Sequence, residues 1–177
     1  RRMLVNDEKR TFVRISDFAG IIPAINGKIE LVYEGEQEGP SKVAHILIGK
    51  AIRAEFPHYF PNPEKAKRKQ DSTPYQKIVN WFGEGHTIDV LNDLPIGEYE
   101  STLNSIPGLK EIVRKFHPDV DRETMLLLME FTLHGLAEYS FLSKHQLEFG
   151  LQFKDLLSSM FTMSDEDEDE PDMESFT

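Results

Sequence analysis

The chain has 177 residues, room for one domain with a sizeable core, and its 39% hydrophobic and 29% charged residues are those of an ordinary globular protein. Residues 164–177 hold eight acidic residues and no basic one, so most of the net charge of −11 sits in the tail, and the mildly acidic remainder excludes a binder of nucleic acid, which needs many cations against phosphates. The absence of cysteine excludes disulfides, thiolate metal sites and thiol nucleophiles and suits the cytoplasm, and no apolar run approaches the roughly 18 residues of a membrane helix.

The opening, RRMLVNDEKR, does not begin with Met and carries no apolar signal core. Residues 1–9 read as the end of a helix, so a longer parent chain is expected. A short apolar turn follows, VRISDFAGIIPAI, with Ser16 or Asp17 as a helix N-cap and Pro23 near its end. Over residues 28–34, Ile29, Leu31 and Tyr33 alternate with Glu30, Val32 and Glu34, a period of two that predicts a short strand or extended arm. Gly35, Gly39 and Pro40 then break the chain, and Glu34, Glu36 and Glu38 must be solvated or face a basic partner. Ser41 is placed to cap the helix SKVAHILIGKAIRAEF, which should end near Pro57. In it Val43, Leu47 and Ala51 form one apolar row and Ala44, Ile48 and Ile52 the next, the pattern of a helix with one face in a core.

Residues 61–73 read as a polar, proline-containing loop. A short helix carrying Tyr75, Ile78, Trp81 and Phe82 is stopped by Gly83 and Gly85. A looser stretch runs to Gly97, followed by the helical pieces GEYESTLNSI and PGLKEIVRKF, the second with Pro107 in its first turn. Asp121 caps RETMLLLMEFTLHGLAEYSFL, whose Met125, Leu126, Leu128, Met129, Leu133 and Leu136 leave little polar face, so this helix belongs at the centre of the core. Ser143 should start the last helix, with Leu147, Leu151, Leu156 and Leu157 as its buried row. The helical domain is thus expected over residues 10–162, with an acidic, disordered tail over 163–177.

Few constellations carry chemistry. Lys65, Lys67, Arg68 and Lys69 stand beside Glu64 without an interleaved aromatic and read as a solvated loop. No two of His45, His58, His86, His117, His134 and His145 share the i, i+4 spacing of a helical zinc site, and His134 reads as a hydrogen-bonded core residue. His117-Pro118-Asp119 resembles the loop of J-domain co-chaperones, but the preceding helix fits only partly, and a helix end followed by an N-cap explains the tripeptide. Neither G-x-x-x-x-G-K-[ST] nor G-x-G-x-x-G occurs; after Gly27-Lys28, Ile29 stands where a magnesium-binding Ser or Thr would be. No catalytic, cofactor-binding or metal-binding residue is therefore assigned.

One stretch, RTFVRISDFAGIIPAINGKIELVYEGEQEGPSKVAHILIGKAI, resembles the C-terminal region of AAA+ ATPases of the magnesium-chelatase and MoxR type. VRISD, PAINGKIEL and YEGEQEG carry the resemblance, which covers roughly residues 1–60, with the opening similar to the tail of an AAA+ lid helix. It implies an upstream phosphate-loop module that binds ATP and Mg²⁺, assembly into a homo-oligomeric ring, and protein partners: neighbouring subunits and a von Willebrand A-type protein. The combined expectation is a mainly α bundle with a short extended or β-hairpin arm near residues 28–38, serving as a regulatory and partner-docking module. Lys28, Glu30, Tyr33, Glu34, Glu36 and Glu38 are the candidate partner-binding residues, on the exposed, glycine-bounded arm. The alternative is a stand-alone helical adaptor without nucleotide chemistry.

Overall fold

The computed structural model describes residues 2–25, 39–68 and 73–157. In chain order these form α1 (Arg2–Val5), a 3-10 turn (Ile15–Gly20), α2 (Ile21–Ile25), α3 (Gly39–Tyr59), α4 (Pro63–Arg68) and α5 (Gln76–Gly83). Strand β1 (Ile88–Leu91) follows, then α6 (Ile96–Asn104), α7 (Leu109–Phe116), α8 (Arg122–Glu138) and the hairpin β2 (Ser143–Leu147) and β3 (Gly150–Lys154). The protein is mainly α with a small antiparallel sheet of order β1-β3-β2. The expected arm near 28–38 and the acidic tail lie outside the described residues.

Helix α8 is the centre of the core, as its composition requires. The Asp121 carboxylate accepts the Thr124 N–H at 2.8 Å and caps it, and every residue from Leu128 to Leu136 is buried. Helix α3 packs along α8, and the crossing is close because Gly135 has no side chain. A Cβ there would lie 2.1 Å from Cδ2 of Phe56, a fully buried ring surrounded by Phe60, Tyr75, Phe131 and Tyr139.

The structure departs from the sequence reading at several places: residues 63–68 form a helix inside the expected loop of 61–73, and Pro107 precedes the helix that starts after Gly108 and is not in its first turn. Helix α3 runs through Pro57 to Tyr59 and does not stop before it. Proline lacks the N–H that would bond the Arg53 carbonyl, and that carbonyl instead accepts the Tyr139 hydroxyl at 3.2 Å. Ser41 lies inside the first turn of a helix that begins at Gly39. The expected last helix is a hairpin: Leu147 pairs with Gly150 around a two-residue loop, and Leu151 and Phe153 are buried while Gln152 between them is not. Gly150 admits Val90 of β1, whose carbonyl oxygen would lie 2.4 Å from a Cβ. Leu156 and Leu157, expected in a buried row, are exposed.

The Phe56 ring is enclosed on all sides and cannot swing away, so Gly135→Ala should destabilise the fold by about 2 kcal/mol despite the better helix propensity of alanine. Gly97→Ala, with open space around the added carbon, should leave stability within about 0.5 kcal/mol. Urea denaturation of both variants checks the contrast, and equal stabilities would show that α3 and α8 have room to separate.

Candidate functional site

The site begins with a charge in an apolar helix. Glu130 is fully buried in the middle of α8. A carboxylate out of water is costly unless its lone pairs are filled. Here the backbone N–H groups of Ile15 and Ser16 each donate to it at 2.9 Å, and the Tyr99 hydroxyl donates at 2.7 Å. Burial pushes the Glu130 carboxyl up, but the hydrogen bonds from the Tyr99 hydroxyl and the Ile15 N–H hold it below the ordinary glutamate value. The same burial pushes the Tyr99 hydroxyl well up, so it stays a donor.

The segment before α2 is held a second time. Arg2 makes a two-point pair with Asp17 and donates to the Phe12 carbonyl at 2.8 Å. Asp17 Oδ2 also takes the Arg14 N–H at 2.8 Å. The Asp17 side chain is therefore used inside the 3-10 turn and does not cap a following helix, and the Ser16 hydroxyl has no hydrogen-bond partner among the described residues. Burial pushes Asp17 up, but the Arg2 pair and the Arg14 N–H hold it below the usual carboxylate range. Arg14 is 1% exposed, donates to the Leu94 carbonyl at 2.8 Å and sets its guanidinium carbon 4.0 Å from the Tyr99 ring centre. Two cations, Arg2 and Arg14, thus balance two anions, Asp17 and Glu130.

This anchored segment and α3 enclose two adjoining concavities that share Phe18, Ile48 and Ile52. The inner one is a pocket of about 150 Å³ walled by Ile15, Ile22 and Leu151, with Ser16 and His134 among its lining and His45, Lys144 and Gln146 also bordering it. The outer one is an open groove of about 280 Å³ with Ile21, Ala51 and Phe131 as apolar walls and Glu55 at its edge. Leu47 lies one helical turn before Ala51 and is 53% exposed; Ile21 across the groove is 44% exposed. The row of Leu47 and Ala51, which periodicity assigns to the core, is exposed, because the apolar stripe of α3 is wider than the body that covers it.

His134 is 3% exposed and its ring meets Phe153 edge-on, with centres 5.2 Å apart. It is a core residue as expected, but not a hydrogen-bonded one. Neither ring nitrogen has a hydrogen-bond partner among the described residues, and Glu130 Oε1 is 3.8 Å from Nε2, beyond hydrogen-bond reach. Burial lowers its pKa, which keeps the ring neutral.

The arm residues Lys28, Glu30, Tyr33, Glu34, Glu36 and Glu38 all lie outside the described residues. Among the described residues no group of three or more His, Asp or Glu is arranged to hold a metal ion, and no helix is long and apolar enough to cross a membrane. His117 is used internally: its ring packs on Phe60 and its Nε2 lies 2.9 Å from the Tyr59 carbonyl oxygen. Sequence reasoning missed Glu130, Arg14 and Arg2. The available signal was Glu130 and His134 at i, i+4 in a helix with almost no other polar residue in its middle, a spacing that puts both on one face.

Unfolding gives His134 a proton that its buried ring does not hold. With its pKa lowered in the fold, its contribution to stability is present above the unfolded value near 6.5 and is lost as the pH falls below it; His145, lowered by burial and by Lys154, acts in the same direction. Glu130, held low, keeps its contribution above an unfolded value near 4.5 and loses it only as the pH falls through its folded value. Denaturation between about pH 8 and pH 5 should show falling stability, and His134→Gln should flatten the slope; an unchanged slope would assign the titration to another group. Compared with protein-family models, with curated proteins and with solved structures, the chain matches none.

Proposed function

We propose that this chain is the regulatory and partner-docking module of an AAA+ ATPase of the magnesium-chelatase or MoxR type. In this reading a cytoplasmic, homo-oligomeric parent binds ATP and Mg²⁺ in a module upstream of Arg1 and uses hydrolysis to remodel a protein partner or to drive metal insertion. The observation that carries the docking role is the apolar groove along α3, with Ile21 exposed in its lining and Leu47 exposed one helical turn before Ala51. Exposed apolar surface gathered in a groove is the common form of a surface that receives apolar side chains of another protein. Both main walls, the Ile15–Gly20 turn with α2 and the part of α3 from Ile48 to Glu55, fall within roughly residues 1–60, which carry the family resemblance. Glu55 at the groove edge favours a basic residue beside the apolar ones of the partner.

Leu47→Asp in the native-length protein should weaken partner binding or ring assembly by at least about fivefold, since it sets a charge among apolar contacts without touching the core. Native mass spectrometry with ATP and Mg²⁺ reads both effects, and an unchanged oligomer together with unchanged partner recovery would remove the groove from the proposal. Reversing Glu34, Glu36 and Glu38 to lysine together should shift the assembly toward smaller species if these charges set the register between ring neighbours. The same oligomer size and partner affinity in that variant would sink the role of the arm. Peptide mapping of the protein from its native cells tests the parent: a G-x-x-x-x-G-K-[ST] peptide ahead of Arg1 supports the ATPase reading, and a mature chain starting at Arg1 leaves the adaptor reading in its place.

A further inference from the structure

We infer that the concavity between α6, α7 and the start of α8 is a binding site for a small organic phosphate. It shares no lining residue with the groove along α3, so it stands apart from the docking reading. Its volume is about 280 Å³. Three cations border it, Lys110 and Arg114 from α7 and Arg122 from α8, on a chain whose net charge is −11. Two acids, Glu100 and Asp121, border it as well.

Both acids are already engaged. Glu100 accepts from Arg122 Nε at 2.8 Å and from its Nη2, so those two charges cancel. Asp121 accepts the N–H and the hydroxyl of Thr124 at 2.8 and 3.1 Å. Lys110 and Arg114 have no such use. Among the described residues neither makes a hydrogen bond or an ion pair, and Lys110 reaches Glu100 only through its field. They stand four apart on α7, a spacing at which like charges repel. Arg114 in the last turn suits the helix dipole, but Lys110 in the first turn opposes it. Two uncommitted cations at one concavity select the charge of the ligand. A phosphate monoester carries about −1.5 to −2 at pH 7 and offers three acceptor oxygens, enough for the guanidinium fork of Arg114 and the ammonium of Lys110 together. A monocarboxylate matches only one of the two. The cavity is close to the roughly 300 Å³ at which small organic ligands begin to fit, so a carbon group has room beside the phosphate. Val120 and Met125 in the lining offer that group apolar contact.

The test titrates n-butyl phosphate, inorganic phosphate and pentanoate into the full chain at pH 7.5 and follows each by NMR. Butyl phosphate should shift the Arg114 Nε–H and Met125 methyl signals. It should bind about tenfold more tightly than pentanoate and about threefold more tightly than inorganic phosphate. Lys110→Gln and Arg114→Gln should each weaken butyl phosphate by at least about fivefold. Neither residue holds another in place, so signals away from the site should stay where they are and report an intact fold. Lys115→Gln makes the same change of charge on the same helix but outside the lining, and should leave the affinity unchanged. An equal loss in Lys115→Gln would assign the response to the general charge of α7 and overturn the site. Pentanoate binding as tightly as butyl phosphate would overturn the choice of a dianion, and inorganic phosphate doing so would overturn the organic group. No shift at Arg114 and Met125 would overturn the inference as a whole.

Discussion

The placement of the Ile15–Gly20 turn over α8 depends on one carboxylate. Glu130 sits where α8 would otherwise carry an apolar side chain, and it is tolerable there because two successive backbone N–H groups, of Ile15 and Ser16, reach it from the 3-10 turn. The dependence is mutual. Those N–H groups are buried at the start of a short helical turn, where no intrahelical acceptor exists for them, and Glu130 supplies the acceptor. Tyr99 from α6 adds a third donor and ties a second helix to the same point. Glu130 is what ties Ile15 and Ser16 to α8 itself, and with them the wall they lend to the inner pocket.

The network extends outward along the chain. Arg2 joins α1 to Asp17, Asp17 takes the Arg14 N–H, and Arg14 reaches the Leu94 carbonyl and the face of Tyr99. Each link is charge-assisted or deeply buried, so the segment behaves as one strut and not as a loop.

The groove arises from a mismatch in width. Ala44, Ile52 and Phe56 of α3 are spent on the core, but the apolar stripe continues round the helix through Leu47 and Ala51. The short 3-10 turn and α2 cover only part of that stripe. An exposed leucine by itself has no meaning; here Leu47 continues, one helical turn away, the face of Ala51, which lines a concavity with Ile21, Phe18 and Phe131 among its walls, and that is an arrangement a partner can use.

Much of this was legible from residues alone, for local reasons. The Asp121 cap, the burial of α8, the helix from Gln76 to Gly83 and the helical pieces on either side of Pro107 rest on capping chemistry and periodicity, which act within a few residues. The mainly helical class followed from the same signals. Other features needed the tertiary structure. Leucines within residues 143–157 fit a helical row as well as a strand, and the hairpin won because β3 has β1 to pair with on its other side, a partner from some sixty residues away. Proline at position 57 looks like a helix end until Tyr139 supplies the hydrogen bond that the ring removes. The charged core was the least visible part. Arg2, Arg14, Asp17 and Glu130 are ordinary surface residues in a composition count, and only folding sets Ile15 and Ser16 against the middle of α8 and brings these charges together.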